Sequence, residues 1–213
     1  MRAYRIDVQA VCDSLVYNTQ DSCMVMYHDP IIWNGNQQLF GEEVRAYMKD
    51  STIHRAHVIG QAFSTEQLHD SVHFNQVSSK EMIAYFNKGE IKEAHAIDNV
   101  LVTYFPIEEK DSSLIAMDYT ETTLMKLYFD NRKLQRVWAG PSTGTFYPLN
   151  QIPESRRFLP GYAWFDYIRP LNKDDIFNWR PKKENHQLAE PVNRGDAKKK
   201  QGGREGRKGR KNF

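Results

Sequence analysis

His69-Asp-Ser-Val-His73 places two imidazoles four positions apart with a carboxylate beside the first. On a helix this spacing brings both rings to one side, where a zinc ion held by them and a third ligand would activate water. That chemistry also needs a glutamate in the second position as proton acceptor. Here the residue is Asp70, the flanking pattern is not helical and no third ligand is indicated, so the segment reads as a solvated connection. Serine, histidine and aspartate are plentiful, but no Gly-x-Ser-x-Gly elbow presents a nucleophile, and neither Cys12 nor Cys23 sits in a nucleophile setting. Gly-x-x-x-x-Gly-Lys-Ser/Thr is absent, which removes the phosphate loop of nucleotide hydrolysis. The two cysteines are too few for a disulfide framework or a structural zinc site and are expected as small buried thiols. No catalytic residue, metal or cofactor follows from these residue types, and a non-enzymatic protein is expected.

The elements that would position a binding surface are clearer. The 213 residues are 40% hydrophobic and 26% charged with 12 Gly and 9 Pro, which excludes a wholly disordered or collagen-like chain. No apolar run approaches the ~18 residues of a membrane-spanning helix. The N-terminus has no apolar stretch behind its basic residues, so no secretory signal is encoded; the expectation is either a cytosolic protein or a chain that has lost its true beginning. From Pro181 to Phe213 there are eleven Lys or Arg against four Asp or Glu, a net +7, which leaves 18 against 23, or −5, on residues 1–180. The body therefore has no phosphate-binding footprint, and no nucleic-acid partner is expected.

Apolar and polar residues alternate over five to eight positions between turn clusters such as Asn34-Gly-Asn36, Asn87-Lys-Gly-Glu90 and Asp130-Asn-Arg132. This pattern predicts an all-β chain, with short helical candidates only near 64–74, 153–158 and 173–179. Internal repetition sharpens it. Residues 43–57 lie over residues 81–95 at an offset of 38, with identities at Glu43/Glu81, Ala46/Ala84, Tyr47/Tyr85, Ile53/Ile91, Ala56/Ala94 and His57/His95. Fainter copies precede this pair at an offset of 29 and follow it at 43. The unit is one hairpin, and such units bury one face only by stacking.

Parity groups Leu15, Val44, Met82 and Met125 in one inward layer, then Tyr17, Ala46, Ala84 and Leu127, then Thr19, Met48, Phe86 and Phe129. Arg45, Lys49, Asn87, Lys126 and Asp130 fall on the opposite, solvated face. In the returning strands the recurring pairs are Ile53…Ala56, Ile91…Ala94 and Leu134…Val137. A spacing of three cannot keep one face in a regular strand, so a recurrent bulge is expected. His54 and His57 would then share a face only through that bulge, and His57 and His95 recur at one repeat position, which repeat geometry explains without a metal. Residues 1–147 form the repeat domain, 148–180 an irregular aromatic-rich cap packed on the last repeat, and 181–213 a disordered basic tail.

Cys12-Asp-Ser-Leu-Val-Tyr17, Tyr27-His-Asp-Pro-Ile-Ile-Trp33, Ala46-Tyr-Met-Lys-Asp-Ser-Thr-Ile53, His57-Val-Ile-Gly60 and Phe165-Asp-Tyr-Ile-Arg-Pro-Leu-Asn-Lys-Asp-Asp-Ile-Phe-Asn-Trp179 resemble the OstA-like, or LptA-like, family of lipopolysaccharide transport. The resemblance covers most of residues 3–180. It implies an open V-shaped β-jelly roll (a β-taco) that holds lipid acyl chains between its sheets and stacks head to tail with other jelly-roll transport domains or with itself. It further implies a periplasmic location, at or near the outer membrane, and lipopolysaccharide or a lipid A-type lipid as ligand. The inward layers Leu15, Tyr17, Val44, Ala46, Met48, Met82, Ala84, Phe86, Met125, Leu127 and Phe129 become the candidate lipid-binding residues, with Arg45 and Lys126 as rim cations. A strand edge near residues 3–11 is expected to be open. Two other readings stay open: an adapter binding proteins through strand edges, and a carbohydrate-binding module using Trp138, Trp164 and Trp179.

Overall fold

The computed structural model describes residues 1–183 apart from Ser51, Glu109, Asp111, Ser112 and Arg132. Thirteen antiparallel strands form one continuous sheet: β1 (Arg2–Tyr4), β2 (Gln9–Val11), β3 (Ser14–Asn18), β4 (Cys23–Tyr27), β5 (Ile31–Asn34), β6 (Gln37–Phe40), β7 (Glu43–Lys49), β8 (Thr52–Gln67), β9 (Phe74–Asn87), β10 (Glu90–Tyr104), β11 (Ala116–Asp130), β12 (Lys133–Ala139) and β13 (Ser142–Pro148). The turn clusters of the sequence fall between these strands, as alternation and turn chemistry dictate. The 153–158 and 173–179 candidates hold single helical turns at Glu154–Arg157 and Asp175–Phe177, whereas 64–74 is the end of β8, a tight turn and the start of β9. The tail expected to be disordered lies, from residue 184 on, outside the described residues.

The sheet is creased along a line that every long strand crosses. Registers shift between Ile59 and Ala62 in β8 and between Ile97 and Val100 in β10. At these places, and between β4 and β5, two successive residues take positive φ: Gly60-Gln61 (72° and 45°), Asp98-Asn99 (60° and 50°) and His28-Asp29 (60° and 52°). Left-handed backbone reverses the local pleat, so each strand leaves one wall and enters the other. Gly41 lies on the same line, where an added Cβ would meet Val58 and the carbonyl of Gly60.

The crease divides the sheet into two facing walls. The open wall runs β3, β4, β7, the first half of β8, the second half of β9, the first half of β10, the second half of β11, then β12. The capped wall runs β1, β2, β5, β6, the other halves of β8 to β11, then β13. Near the crease the walls share apolar clusters: Met26, Val44 and Val58 of one with Ala10 and Ala62 of the other, and Ala96 and Met125 with Val100 and Val102. The architecture is the all-β array of repeated hairpins that the sequence pattern predicts, folded into the open V-shaped jelly roll that the family resemblance implies.

The densest core is not between the walls. It lies on the outer face of the capped wall, where residues 149–183 run back across the sheet. Trp33, Phe40, Phe63, Phe105 and Met117 of the strands pack against Leu159, Ala163, Phe165 and Ile168 of this segment. The cap therefore reaches well beyond the last repeat, as far as β1 and β2. Three buried glutamines hold it. Gln76 accepts from the Leu159 N–H (2.9 Å) and donates to the Arg157 carbonyl (3.0 Å). Gln38 accepts from the Phe165 N–H (2.7 Å) and donates to the Ala163 carbonyl (2.8 Å), while Gln9 accepts from the Arg169 guanidinium (2.8 Å). The Gln38 and Gln76 amides supply the donor and acceptor that a neighbouring strand would otherwise supply, so an extended chain can be buried on a sheet face.

Candidate functional site

The inner face of the open wall is a set of in-register rows. The row nearest the crease is Leu15, Met26, Val44, Val58, Met82, Ala96, Met125 and Ala139. The second is Tyr17, Met24, Ala46, Ala56, Ala84, Ala94, Leu127 and Val137. At the lip, Met48 pairs with Ile53, Phe86 with Ile91 and Phe129 with Leu134. All eleven candidate residues therefore lie on this one face, in the layers that parity assigns.

The lip row depends on three equivalent bulges. The extra residues are His54 between Ile53 and Arg55, Lys92 between Ile91 and Glu93, and Gln135 between Leu134 and Arg136. Each bulge lets residues three apart, such as Ile53 and Ala56, face the same way. This is the recurrent irregularity that the spacing predicts.

Burial falls from crease to lip. Val44 and Val58 are fully buried, Ala46 is 3% exposed, and Tyr17, Val137 and Leu134 are 51%, 49% and 44% exposed. The four alanines of the second row stand side by side on β7 to β10, facing a row of the capped wall that includes Leu39, Ser64, Val77 and Val102. The alanines of the open wall leave width at this level, whereas the Val and Met row beneath closes the floor. The lips differ. Met48, Ile53, Phe86, Ile91 and Phe129 carry apolar character to the edge of the open wall, while the corresponding row of the capped wall mixes Gln37, Glu66, Asn75 and Asp118 with the exposed rings of Tyr104 and Phe146. The result is a trough, open along its length, apolar below and along one lip and of mixed character along the other. Two cavities of about 450 and 410 Å³ lie outside it, the first beside Asp29, Ile168 and Lys182, the second on the outer face at Cys23, Arg45 and Tyr47.

The outer face of the open wall carries ion pairs and stacked guanidinium groups. His57 Nε2 lies 3.0 Å from Glu81 and His95 Nε2 2.6 Å from Glu93. The Arg55 and Arg136 guanidinium groups stack 3.9 and 4.2 Å over Tyr47 and Tyr128. Arg45 and Lys126 belong to this face and do not stand at the rim, because rim and outer face are one residue out of phase on a pleated strand. Cations at the lip include Lys49, Lys88 and Lys133, exposed at or beside the hairpin ends.

The remaining sequence candidates resolve as structural groups. His69 to His73 form the β8–β9 turn. Burial opposes ionisation of Asp70, but the N–H groups of His73 and Val72 and the His73 ring hold its carboxyl below the usual carboxylate range. Cys12 and Cys23 are buried free thiols, with burial raising both pKa values. Among the described residues no group of His, Cys, Asp and Glu is arranged to hold a metal ion. Trp138 sits on β12, Trp164 packs 5.4 Å from Phe74 in the cap, and Trp179 is at the far end of the cap, so the three make no common platform.

The candidate set leaves out the second-strand half of the trough, namely Met24, Met26, Val58 and Ala96 together with Ile53, Ala56, Ile91 and Ala94, whose spacing already marks them as one face, and the whole facing wall. The first set was reachable, since each is the cross-strand partner of an assigned residue. The facing wall needed the crease, whose signal is that the 38-residue offset carries Gly60-Gln61 onto Asp98-Asn99, both pairs tolerant of positive φ.

No family model matches this sequence, and no curated protein does. Among solved structures, the chain is similar to LptH of Pseudomonas aeruginosa, described as the LptA-homologous periplasmic component of a conserved lipopolysaccharide transport device. The identity is 13%, the match covers 66% of this chain and 95% of that one, and the TM-score is 0.50. The likeness is one of fold.

Proposed function

We propose that this chain is a non-enzymatic carrier or bridge that holds the acyl chains of a lipopolysaccharide-type lipid in the trough between its walls. The observation that carries the reading is the uninterrupted inner face, in which three apolar rows run through most of the hairpins of the open wall and remain uncovered at the lip. Each CH₂ moved from water into such a surface gains ~0.8 kcal/mol, so several chains are retained without covalent chemistry. Rows that repeat from hairpin to hairpin offer similar affinity along the trough, which suits movement of a ligand along it. Lys49, Lys88 and Lys133 stand where the phosphates of a head group would emerge, opposite the mixed lip of the other wall. Similarity of fold to LptH supports a periplasmic place in lipopolysaccharide transport.

Head-to-tail joining fits the edges. Among the described residues β3 pairs only with β4, β1 only with β2, and β12 and β13 only with β11, so each end of the array offers strands for augmentation. The open edge at the N-terminal side is β1 and β3, since β2 is already paired on both sides. Other jelly-roll domains or a second copy of this chain would be the partners.

Photo-crosslinking tests the trough directly. Probes at Met82, Phe86 and Leu127 should label bound lipid, and probes at Ile83 and Lys126, one residue out of phase, should not. Equal labelling from both faces would refute the reading. Absence of labelling at every position would favour a protein adapter working through its edges.

A further inference from the structure

One row of the cap core ends in a charge. Phe63, Phe40, Ile31 and Val11 stand opposite one another across β8, β6, β5 and β2, all buried, and the next member, on the edge strand β1, is Arg2. The helical turn Asp175–Phe177, part of the exposed loop 169–180, packs against β1. All three guanidinium nitrogens of Arg2 are buried, and none has a hydrogen-bond partner among the described residues. The buried carboxylate of the loop is already committed. Asp175 accepts from the Leu171 N–H (2.9 Å), from Asn178 (3.3 Å) and from the Arg180 guanidinium, which also donates to the Arg169 carbonyl (3.2 Å). Burial and the charge of Arg180 lower the Arg2 pKa, against a weaker opposing pull from Asp175. A guanidinium nevertheless stays charged in a protein, so Arg2 presents five N–H donors in a dry place without an acceptor, which is costly.

The acceptor can come from the edge of the sheet. Among the described residues β1 pairs only with β2, so its other side is open to a further strand. A residue of such a strand directly opposite Arg2 would lie about 5 Å away on the same face, within reach of a two-pronged carboxylate–guanidinium pair. A second copy of this chain does not supply it. The strands at its free edges, β1, β3, β12 and β13, contain no Asp or Glu and carry Arg2, Lys133 and Arg136. An inward-pointing charge at a sheet edge opposes any strand that leaves it unpaired, so neutral and basic edges are turned away and an acidic one is accepted. We infer that the strand joined to β1 belongs to a different protein and carries an Asp or Glu opposite Arg2. This pairing rests on the joining of strand edges proposed above, whose partner it specifies, and is independent of the lipid trough.

Two synthetic peptides of alternating Thr and Val, one with a central Glu and one with Gln in its place, test the pairing on the full chain. The Glu peptide should bind about tenfold more tightly than the Gln peptide, the worth of one charge-assisted pair, and Arg2→Met should make the two equal. Arg2→Met should also raise the melting temperature of the chain alone, because it removes a buried charge that has no acceptor. If that variant associates through its now apolar edge, Arg2→Thr gives the same peptide comparison. Equal binding of both peptides by the parent, or a preference for Glu that survives the loss of Arg2, would overturn the pairing while leaving the joining of edges intact. Binding of neither peptide would overturn both and leave Arg2 as a charge that keeps the edge free. A lower melting temperature in Arg2→Met would overturn the pairing too, by showing that the chain itself satisfies the guanidinium.

Discussion

The main-chain N–H of Phe165 donates a 2.7 Å hydrogen bond to Oε1 of Gln38, a residue 127 positions earlier, and both residues are fully buried. The same oxygen accepts from the Trp33 indole (3.1 Å), and the Gln38 amide donates to the Ala163 carbonyl. One side chain therefore joins β5, β6 and the C-terminal segment at the centre of the largest apolar cluster.

Gln38→Ala should destabilise the protein strongly. It orphans the Phe165 N–H, the Ala163 carbonyl and the Trp33 indole in a dry site, at ~1–3 kcal/mol for each group that stays unsatisfied. Urea unfolding should show a lower midpoint, and hydrogen exchange should show reduced protection at Phe165. An unchanged midpoint would mean that the glutamine row does not clamp the segment.

Removal of residues 184–213 should leave stability unchanged, whereas removal of residues 149–213 should not. Limited trypsin treatment is expected to yield a stable core ending between Arg180 and Lys183, since Lys182 donates to the Asp29 carbonyl and Lys183 N–H to the Tyr167 hydroxyl. A chain ending at Pro148 would expose Trp33, Phe40 and Phe63 on a sheet face and should aggregate. Folding of that shorter chain as a soluble monomer would show the cap to be dispensable.

Ala84→Arg should abolish acyl-lipid binding, because a guanidinium in the alanine row fills the width of the trough and is desolvated without a partner. Tyr85→Arg, on the outer face, should bind as the parent does. Mass spectrometry of lipid retained by the purified variants reads the difference, and equal retention would argue against the alanine row as the binding surface.

Acid should open the exposed loop before it unfolds the walls. The Leu171 N–H and the Arg180 guanidinium hold the Asp175 carboxyl at about 2, below its ordinary 3.8. A depressed carboxylate contributes stability that is present above the unfolded value and is lost as pH falls through the folded one, here between about 4 and about 2. Protection of the Leu171 N–H, taken relative to the unfolded chain at the same pH, should therefore fall across that window in the parent and be low already at neutral pH in Asp175→Ala. Protection that stays constant across the window in the parent would count against the network.

At the crease, Asn99→Val should cost ~1–2 kcal/mol, the penalty of a left-handed backbone for a branched side chain, while Asn99→Gly should be tolerated. Thermal unfolding of the two variants gives the comparison; equal melting temperatures would contradict the left-handed assignment.

Much of this protein is legible in its sequence because period-two alternation and hairpin repetition are local. Strand positions, the three inward layers from Leu15 to Phe129 and the bulges after Ile53, Ile91 and Leu134 all follow from which side of a pleat a residue occupies. What only the tertiary structure decided is which surfaces meet. Paired left-handed residues such as Asp98-Asn99 look in sequence like polar positions within a strand, yet they turn one ribbon into two walls and create the trough. Gln9, Gln38 and Gln76 look like solvated positions, since an isolated glutamine on a strand belongs in water. They are buried because the segment from Leu149 to Lys183 lies over them and offers partners, its backbone groups to Gln38 and Gln76 and the Arg169 guanidinium to Gln9. Local pattern sets the face of a side chain, and long-range contact sets whether that face meets water, another wall or the chain's own C-terminal segment.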